Sequence, residues 1–99
     1  MITMVRSLTV LPGKTVEYLN VAKEFLAIGK RISGREAAVA TAFGGDPMTI
    51  AYIISAGSLA EIEENSAKLL ASPEYHAAVK KAENLVLPGS YRDQIWRHV

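Results

Sequence analysis

The sequence predicts an α+β fold in which a four-stranded antiparallel sheet carries helices on one of its faces. Segments with apolar residues every second position alternate with segments in which they recur every three or four positions. Gly and Pro residues separate these segments at fairly regular intervals, and no repeat or low-complexity tract interrupts them. With 99 residues, 49% of them apolar and 21% charged, the chain is expected to form one globular domain over residues 1–99.

The first strand is predicted over residues 2–10. Its side chains alternate between an apolar row and a mixed row of Thr, Val and Ser, which is the period of a strand. Arg6 is the exception, because it places a charge inside the apolar row. The strand is expected to end at a turn over residues 11–14, where Pro12 fixes φ and Gly13 can adopt positive φ.

A long amphipathic helix is predicted from Thr15 to Ser33. Apolar residues recur three and four positions apart between Tyr18 and Ile32, while acidic residues come early and basic residues late, as the helix dipole favours. Gly34 is expected to end this helix.

Two strands are predicted next, paired as a hairpin. Residues 35–43 are rich in Ala, which makes the first strand weak by propensity because Ala also favours helix. The Gly-Gly-Asp-Pro break at residues 44–47 and the β-branched run at residues 48–55 nevertheless favour the hairpin.

The last third of the chain predicts a second helical region and a closing strand. Ser58 and Glu61 form a capping box, and the helix after it is expected to bury its apolar stripe. A renewed helix is predicted to begin at Pro73 and to turn apolar side chains inward as far as Val86. A turn at residues 87–90 and a strand at residues 91–99 complete a β-α-β-β-α(α)-β order, which is ferredoxin-like and leaves one sheet face open.

Composition excludes several classes of protein. A net charge of +1 lacks the basic excess of an electrostatic nucleic-acid binder, and the run at residues 48–55 lacks the spaced aromatic and basic residues of RNA-binding modules. The absence of Cys excludes disulfides and a cysteine nucleophile. No apolar run approaches the ~20 residues of a membrane helix, and the start of the chain lacks the layout of a signal peptide. We therefore expect a cytoplasmic protein with neither a nucleic-acid nor a membrane partner.

The turn Leu-Pro-Gly-Lys at residues 11–14, leading straight into a long helix, resembles the dimeric α+β barrel superfamily. The segment Ala-Ser-Pro-Glu-Tyr-His at residues 71–76 fits the same superfamily, which includes antibiotic-biosynthesis monooxygenases, haem-degrading monooxygenases and muconolactone-isomerase-like enzymes. The resemblance covers essentially the whole chain. It implies that the open sheet faces of two copies pack together as a barrel, and that ligands lie between each sheet and its helices.

The chemical residues of the haem-degrading branch are absent. That branch uses an Asn on the first strand, a Trp in the second helical region and a His further on. The matching positions here are Arg6, Leu69 and Val79. Haem degradation by that scheme is therefore not expected, and no cofactor is predicted.

Arg6, Tyr52 and Tyr75 are the candidate ligand-binding residues. A guanidinium is always charged and is seldom buried unless it is paired. Arg6 is therefore expected to anchor a ligand oxygen, to form an ion pair with a carboxylate such as Asp93 or Glu24, or to extend its charged end to the edge of the fold. Tyr52 and Tyr75 lie on predicted inward faces, where a phenol can orient a substrate oxygen or simply pack in the core.

His76 completes the candidate catalytic set with Arg6 and Tyr52. An imidazole is a common acid–base group in enzymes, but the helical position of His76 favours a solvated face. His98 lies near the end of the closing strand, alternating with Trp96, for which an interface or core position is expected. The spacing of the two histidines matches no metal-binding motif, so no metal site is predicted.

Three functions remain open at this point. One is a cofactor-free monooxygenase of the antibiotic-biosynthesis type that acts on an apolar aromatic or polyketide-like compound, held through Arg6 and Tyr52. Another is a non-catalytic barrel module that binds a small apolar ligand or responds to stress. The third is a lactone isomerase or decarboxylase that uses the same pocket. All three are expected to act as homodimers that associate through the open sheet face.

Overall fold

A computed structural model describes residues 1–99 and confirms the predicted order of elements. Four strands and three helices follow one another along the chain: β1 (Ile2–Thr9), α1 (Thr15–Ser33), β2 (Ala37–Thr41), β3 (Thr49–Ala56), α2 (Leu59–Leu70), α3 (Pro73–Ala82) and β4 (Arg92–Arg97). None of the helices is long and apolar enough to cross a membrane.

The strands form one antiparallel sheet in the order β2-β3-β1-β4. The two central strands come from the two halves of the chain, so β1 pairs with β3 along its whole length, from Ile2 opposite Ala56 to Thr9 opposite Thr49. This order and the helices on one face confirm the ferredoxin-like α+β fold.

Glycine and serine residues set the helix ends. Gly34 ends α1 with φ of 71°, and its N–H donates to the carbonyl of Lys30 at 2.8 Å. Ser58 caps α2, since its Oγ accepts from the Glu61 N–H at 3.3 Å. The Glu61 carboxylate accepts from the N–H of Gly57 at 2.7 Å, one residue earlier than a capping box requires. Ser72 caps α3 in the same way as Ser58 caps α2.

The buried core fills only one half of the space between the sheet and the helices. Of the 99 residues, 12 are buried. Nine of them form one cluster: Leu8, Val10, Tyr18, Val21, Ala22, Ile50, Ala82, Leu85 and Val86. The prediction that α2 buries its apolar stripe is wrong, because no residue of α2 is buried and Leu59 is 54% exposed. This helix instead covers a space that side chains do not fill.

The final helix is shorter than predicted. It ends at Ala82, and Val86 forms an antiparallel bridge with Val10 at the end of β1. The backbone hydrogen bonds from Leu11 to Leu85 and from Leu87 to Thr9, both 2.9 Å, hold this segment extended. Tertiary pairing with β1 therefore overrides the helical spacing of Leu85 and Val86.

The helices do not pack over the closing strand β4. No residue of β4 is buried, and Ile95 on the helix-side face is 55% exposed. The alternation in residues 91–99 correctly predicts a strand, and its alternating residues Tyr91 and Ile95 are about half exposed.

The opposite face of the sheet carries no element of this chain. Its rows run from Ala38 and Ala40 on β2, through Ala51 and Ile53 on β3 and Thr3 and Val5 on β1, to Gln94 and Trp96 on β4. We call these eight residues the outer sheet face. Trp96 is 57% exposed there.

Candidate functional site

A cavity of about 580 Å³ lies between the sheet and the three helices. Its floor is the half of β1 and β3 that the core leaves free, where Met4, Arg6, Tyr52 and Ile54 face the helices. Of the 22 residues that line the cavity, 14 are hydrophobic. The space is therefore large and mainly apolar, with a few polar groups at defined places.

All four tyrosines of the chain line this cavity. They come from four different elements or loops, namely Tyr18, Tyr52, Tyr75 and Tyr91. Phe25 of α1 lies among them, with its ring 6.3 Å from the ring of Tyr52 at nearly a right angle and 5.7 Å from the ring of Tyr75. The result is a wall of aromatic edges and faces.

The hydroxyl groups of Tyr18 and Tyr52 lie 2.7 Å apart and form a hydrogen bond. Burial raises the pKa of Tyr52 to about 12 and that of Tyr18 further, so both phenols are protonated at neutral pH. The pair holds two protons, and its mutual hydrogen bond uses one of them. The second O–H can therefore donate to a ligand oxygen in the cavity.

Arg6 forms a bidentate ion pair with Asp93 of β4. Its Nε donates to Oδ1 at 2.8 Å and its Nη2 to Oδ2 at 2.9 Å. The two side chains are 42% and 44% exposed. The pair lowers the pKa of Asp93 and raises that of Arg6 through this hydrogen bonding, so both groups stay charged. Of the alternatives expected for Arg6, the structure shows the ion pair with Asp93, and Arg6 also lines the cavity.

Tyr52, Arg6 and Asp93 form one row across the sheet. Arg6 is directly opposite Tyr52 on β3 and directly opposite Asp93 on β4. Asp93 accepts from Nε and from one N–H of Nη2, and Nη1 of Arg6 donates to no acceptor in the protein. A polar strip with free donors therefore crosses the floor of an apolar cavity.

Tyr75 lies on the helical side, and Tyr91 lies near the uncovered strand. Tyr75 is positioned near the start of α3, where its N–H donates to the Ser72 side chain. Tyr91 precedes β4 and is half exposed, and partial burial raises its pKa. At another part of the cavity wall, Arg35 is paired with Glu61 of α2.

His76 does not line the cavity. It is exposed, and its Nε2 donates to the carbonyl of Leu70 at 2.6 Å, which satisfies the end of α2. His98 lies next to Thr3 on the outer sheet face, with Nε2 2.6 Å from Oγ1. No group of three His, Cys, Asp or Glu side chains is arranged to hold a metal ion. Of the candidate residues, the structure brings together Arg6, Tyr52 and Tyr75 and leaves His76 outside.

Sequence reasoning missed Tyr18, Phe25 and Tyr91 as cavity residues. The apolar stripe of α1 included Tyr18 and Phe25 but indicated only ordinary packing, and Tyr91 was assigned only to the closing strand. A usable signal was present, because three of the four tyrosines, Tyr18, Tyr52 and Tyr75, fell on predicted inward faces. Tyrosine is a poor choice for a dry core, since its hydroxyl needs a partner there.

The fold and this cavity define a ferredoxin-like α+β protein whose pocket lies between the sheet and the helices. A family model narrows the class: the NIPSNAP model matches residues 3–96. The chain belongs to the NIPSNAP family. No curated protein matches the chain.

Solved structures with the same fold include NIPSNAP proteins and a protein of the antibiotic-biosynthesis type. A NIPSNAP family protein of Agrobacterium tumefaciens is 22% identical with a TM-score of 0.87, covering 99% of this chain and 92% of its own. A NIPSNAP domain protein of Burkholderia xenovorans is 15% identical with a TM-score of 0.87, covering 100% and 95%. A candidate antibiotic biosynthesis monooxygenase of Nitrosomonas europaea is 10% identical with a TM-score of 0.77, covering 100% and 99%. The expected likeness to the monooxygenase superfamily is confirmed for the fold.

Proposed function

We propose that the cavity binds a small aromatic compound that carries one carbonyl or phenolic oxygen. The observation that supports this most is the gathering of all four tyrosines and Arg6 around one apolar space of about 580 Å³. A space of that size is typical of small-molecule sites, which range from about 300 to 1,000 Å³. Two or three fused rings fit within it.

The walls favour flat, aromatic ligands. The rings of Phe25, Tyr52 and Tyr75 already meet at angles of 58° and 89°, which are the tilted and edge-to-face arrangements that aromatic groups prefer. A ligand ring inserted among them gains the same contacts and buries apolar area. An aliphatic chain would bury apolar area as well, but it would not gain the ring contacts.

The floor provides for one ligand oxygen. The Nη1 of Arg6 and the free O–H of the Tyr18–Tyr52 pair are donors, so they suit a group that accepts hydrogen bonds. Arg6 and Tyr52 are opposite each other across β1 and β3, so one oxygen above this row can meet both. Binding of a carbonyl or phenolic oxygen follows from that pairing.

A fluorescence titration with anthracene-9-carbaldehyde tests this proposal. Gly29 of α1 lines the cavity, and a Cβ added there meets nothing within 4 Å. The variant Gly29→Trp therefore puts a large side chain into the cavity and should weaken binding at least about tenfold, a change of about 1.4 kcal/mol. The control Asn20→Trp adds the same side chain to an exposed site on α1 and should bind like wild type. Equal binding by all three proteins would place the probe elsewhere.

Cofactor-free monooxygenation of the same compound is the second candidate. Such a reaction needs a substrate that loses a C–H proton and then gives electrons to O₂, with one oxygen atom entering the product and the other leaving as water. The guanidinium of Arg6 favours this candidate, because it can stabilise the negative oxygen of the deprotonated substrate. The protonated state of Tyr18 and Tyr52 weighs against it, since neither is ready to accept the proton.

An oxygen electrode separates binding from catalysis. With anthrone as the substrate, catalysis would give O₂ consumption well above the rate in buffer, and Arg6→Met would remove most of it. Binding alone would leave the buffer rate unchanged while anthrone still displaced the aldehyde probe.

We also propose that two copies associate through the outer sheet face. The centre of this face is apolar, with Val5 and Ile53 directly opposite each other and Trp96 exposed beside them. A face covering a four-stranded sheet is large enough for the ~1,200 Å² of total area that specific interfaces bury.

Sedimentation equilibrium tests the association. Wild type should have twice the chain mass at micromolar concentration, and Ile53→Glu should have the mass of one chain. The control Ile95→Glu puts the same charge on the other face of the sheet, where the residue is 55% exposed, and should remain a dimer. A monomeric wild type would refute the proposal.

A further inference from the structure

We propose that the Arg6–Asp93 pair makes the cavity select uncharged ligands over carboxylates, so that the recognised oxygen belongs to a ketone, an aldehyde or a phenol. This inference rests on the proposed function, because it names the chemical class of the ligand for the same site. It concerns Asp93, which does not itself line the cavity but determines what Arg6 can bind there.

Asp93 occupies one of the two edges through which Arg6 can bind a carboxylate, and it balances the positive charge of Arg6. A carboxylate is best recognised by an arginine through two parallel N–H···O bonds. Asp93 already occupies that arrangement on Arg6, through Nε and Nη2. The opposite edge, formed by N–H groups of Nη1 and Nη2, can still donate to a carbonyl oxygen, but the positive charge behind it is already balanced by Asp93.

Asp93 is held in place by the sheet. It lies directly opposite Arg6 in the register of β4 on β1, so its carboxylate is aimed along the same row. A ligand carboxylate that approaches Arg6 therefore also comes close to the negative charge of Asp93, which the backbone holds in place. This repulsion disfavours an anionic ligand and leaves a neutral one unaffected.

The other charges around the cavity provide no compensation for an anion. Two arginines and two glutamates line it: Arg6, Arg35, Glu36 and Glu83. Arg6 is paired with Asp93, and Arg35 is paired with Glu61. Every guanidinium that reaches the cavity is therefore already neutralised, and a carboxylate that enters it finds no unpaired positive charge.

Two probes of the same shape test the inference. Anthracene-9-carbaldehyde and anthracene-9-carboxylate differ mainly in charge at the same ring position. Wild type should bind the aldehyde at least about tenfold more tightly than the carboxylate. Asp93→Asn frees the charge of Arg6 and should reverse that order.

A surface variant and a double variant serve as controls. Glu24→Gln also removes one negative charge, but at an exposed pair with Lys81 away from the cavity, and should keep the wild-type preference. Arg6→Gln combined with Asp93→Asn leaves no charge in the row and should lose the gain in carboxylate binding. If Asp93→Asn alone is poorly folded, the double variant still provides the test, because it leaves no unpaired charge at residues 6 and 93.

The possible outcomes distinguish a failure of charge selection from a failure of the proposed ligand binding. If both probes bind to wild type equally, or if Asp93→Asn keeps the wild-type order, charge selection by the pair is wrong although the cavity still binds aromatic ligands. If neither probe binds to any variant, the proposed function fails and the inference fails with it.

Discussion

At the residue scale, the bidentate pair with Asp93 keeps a guanidinium on the wall of an apolar cavity. Arg6 alone would be costly there, because a charge without a partner loses its hydration. With Asp93, it is held at a fixed place while Nη1 stays free. The arrangement explains how an apolar strand row tolerates an arginine.

Replacing Arg6 by Met should lower the free energy of unfolding only modestly, by about 1 kcal/mol. The change leaves Asp93 unpaired, but both side chains are more than 40% exposed, so solvent screens most of the loss. Affinity for the aldehyde probe should fall at the same time. Urea unfolding and probe titration measure the two effects, and a loss of several kcal/mol with unchanged probe affinity would show a purely structural pair.

The pH dependence of stability should report the same pair. Because Arg6 lowers the pKa of Asp93 below its ordinary value of 3.8, Asp93 stabilises the folded state above that pH, and this contribution is lost as the pH falls through the lowered pKa. The urea midpoints of wild type and Asp93→Asn should therefore differ near neutral pH and converge in acid. A difference that stays constant down to about pH 2 would contradict this origin.

At the element scale, each helix end depends on a small number of side chains. Ser58→Ala should cost about 0.5–2 kcal/mol, because the N–H of Glu61 loses its acceptor at the start of α2. Ser66→Ala, in the middle of the same helix, removes an exposed hydroxyl with no capping role and should cost nothing. Urea midpoints compare the two, and equal midpoints would mean that another group caps the helix.

Gly29 lies inside α1 although neither its backbone conformation nor a lack of space requires glycine there. A glycine within a helix destabilises it relative to alanine, and an added Cβ meets no neighbour within 4 Å here. Gly29→Ala should therefore raise the free energy of unfolding by about 0.5–1 kcal/mol. A destabilised variant in thermal unfolding would show that the cavity side of α1 is more crowded than its geometry indicates.

The order of elements and the sheet rows were predictable because periodicity determines which face a side chain occupies. It is sufficient to put Arg6 and Tyr52 on the same side of the sheet. Periodicity does not determine how closely two faces approach, so Tyr18 and Phe25 were predicted as packing residues although they line a cavity. For the same reason it could not show that β4 lies beyond the helices, or that Val86 pairs with β1.

At the scale of the whole molecule, the two faces of the sheet differ in what packs against them. One face, with the helices, encloses a cavity of about 580 Å³, and this leaves a small core for a chain of 99 residues. The other face is apolar at its centre and bare. In the proposed dimer, the second copy completes the burial that the cavity prevents on the first face, so ligand binding and association depend on opposite sides of one sheet.

The most direct test is a crystal structure of the protein with anthracene-9-carbaldehyde. We expect the rings between Phe25, Tyr52 and Tyr75, and the carbonyl oxygen within hydrogen-bond distance of Nη1 of Arg6. The bidentate contact with Asp93 should remain intact beneath it. A probe bound on the outer sheet face, or one in the cavity with its oxygen pointing away from Arg6, would contradict the proposed site.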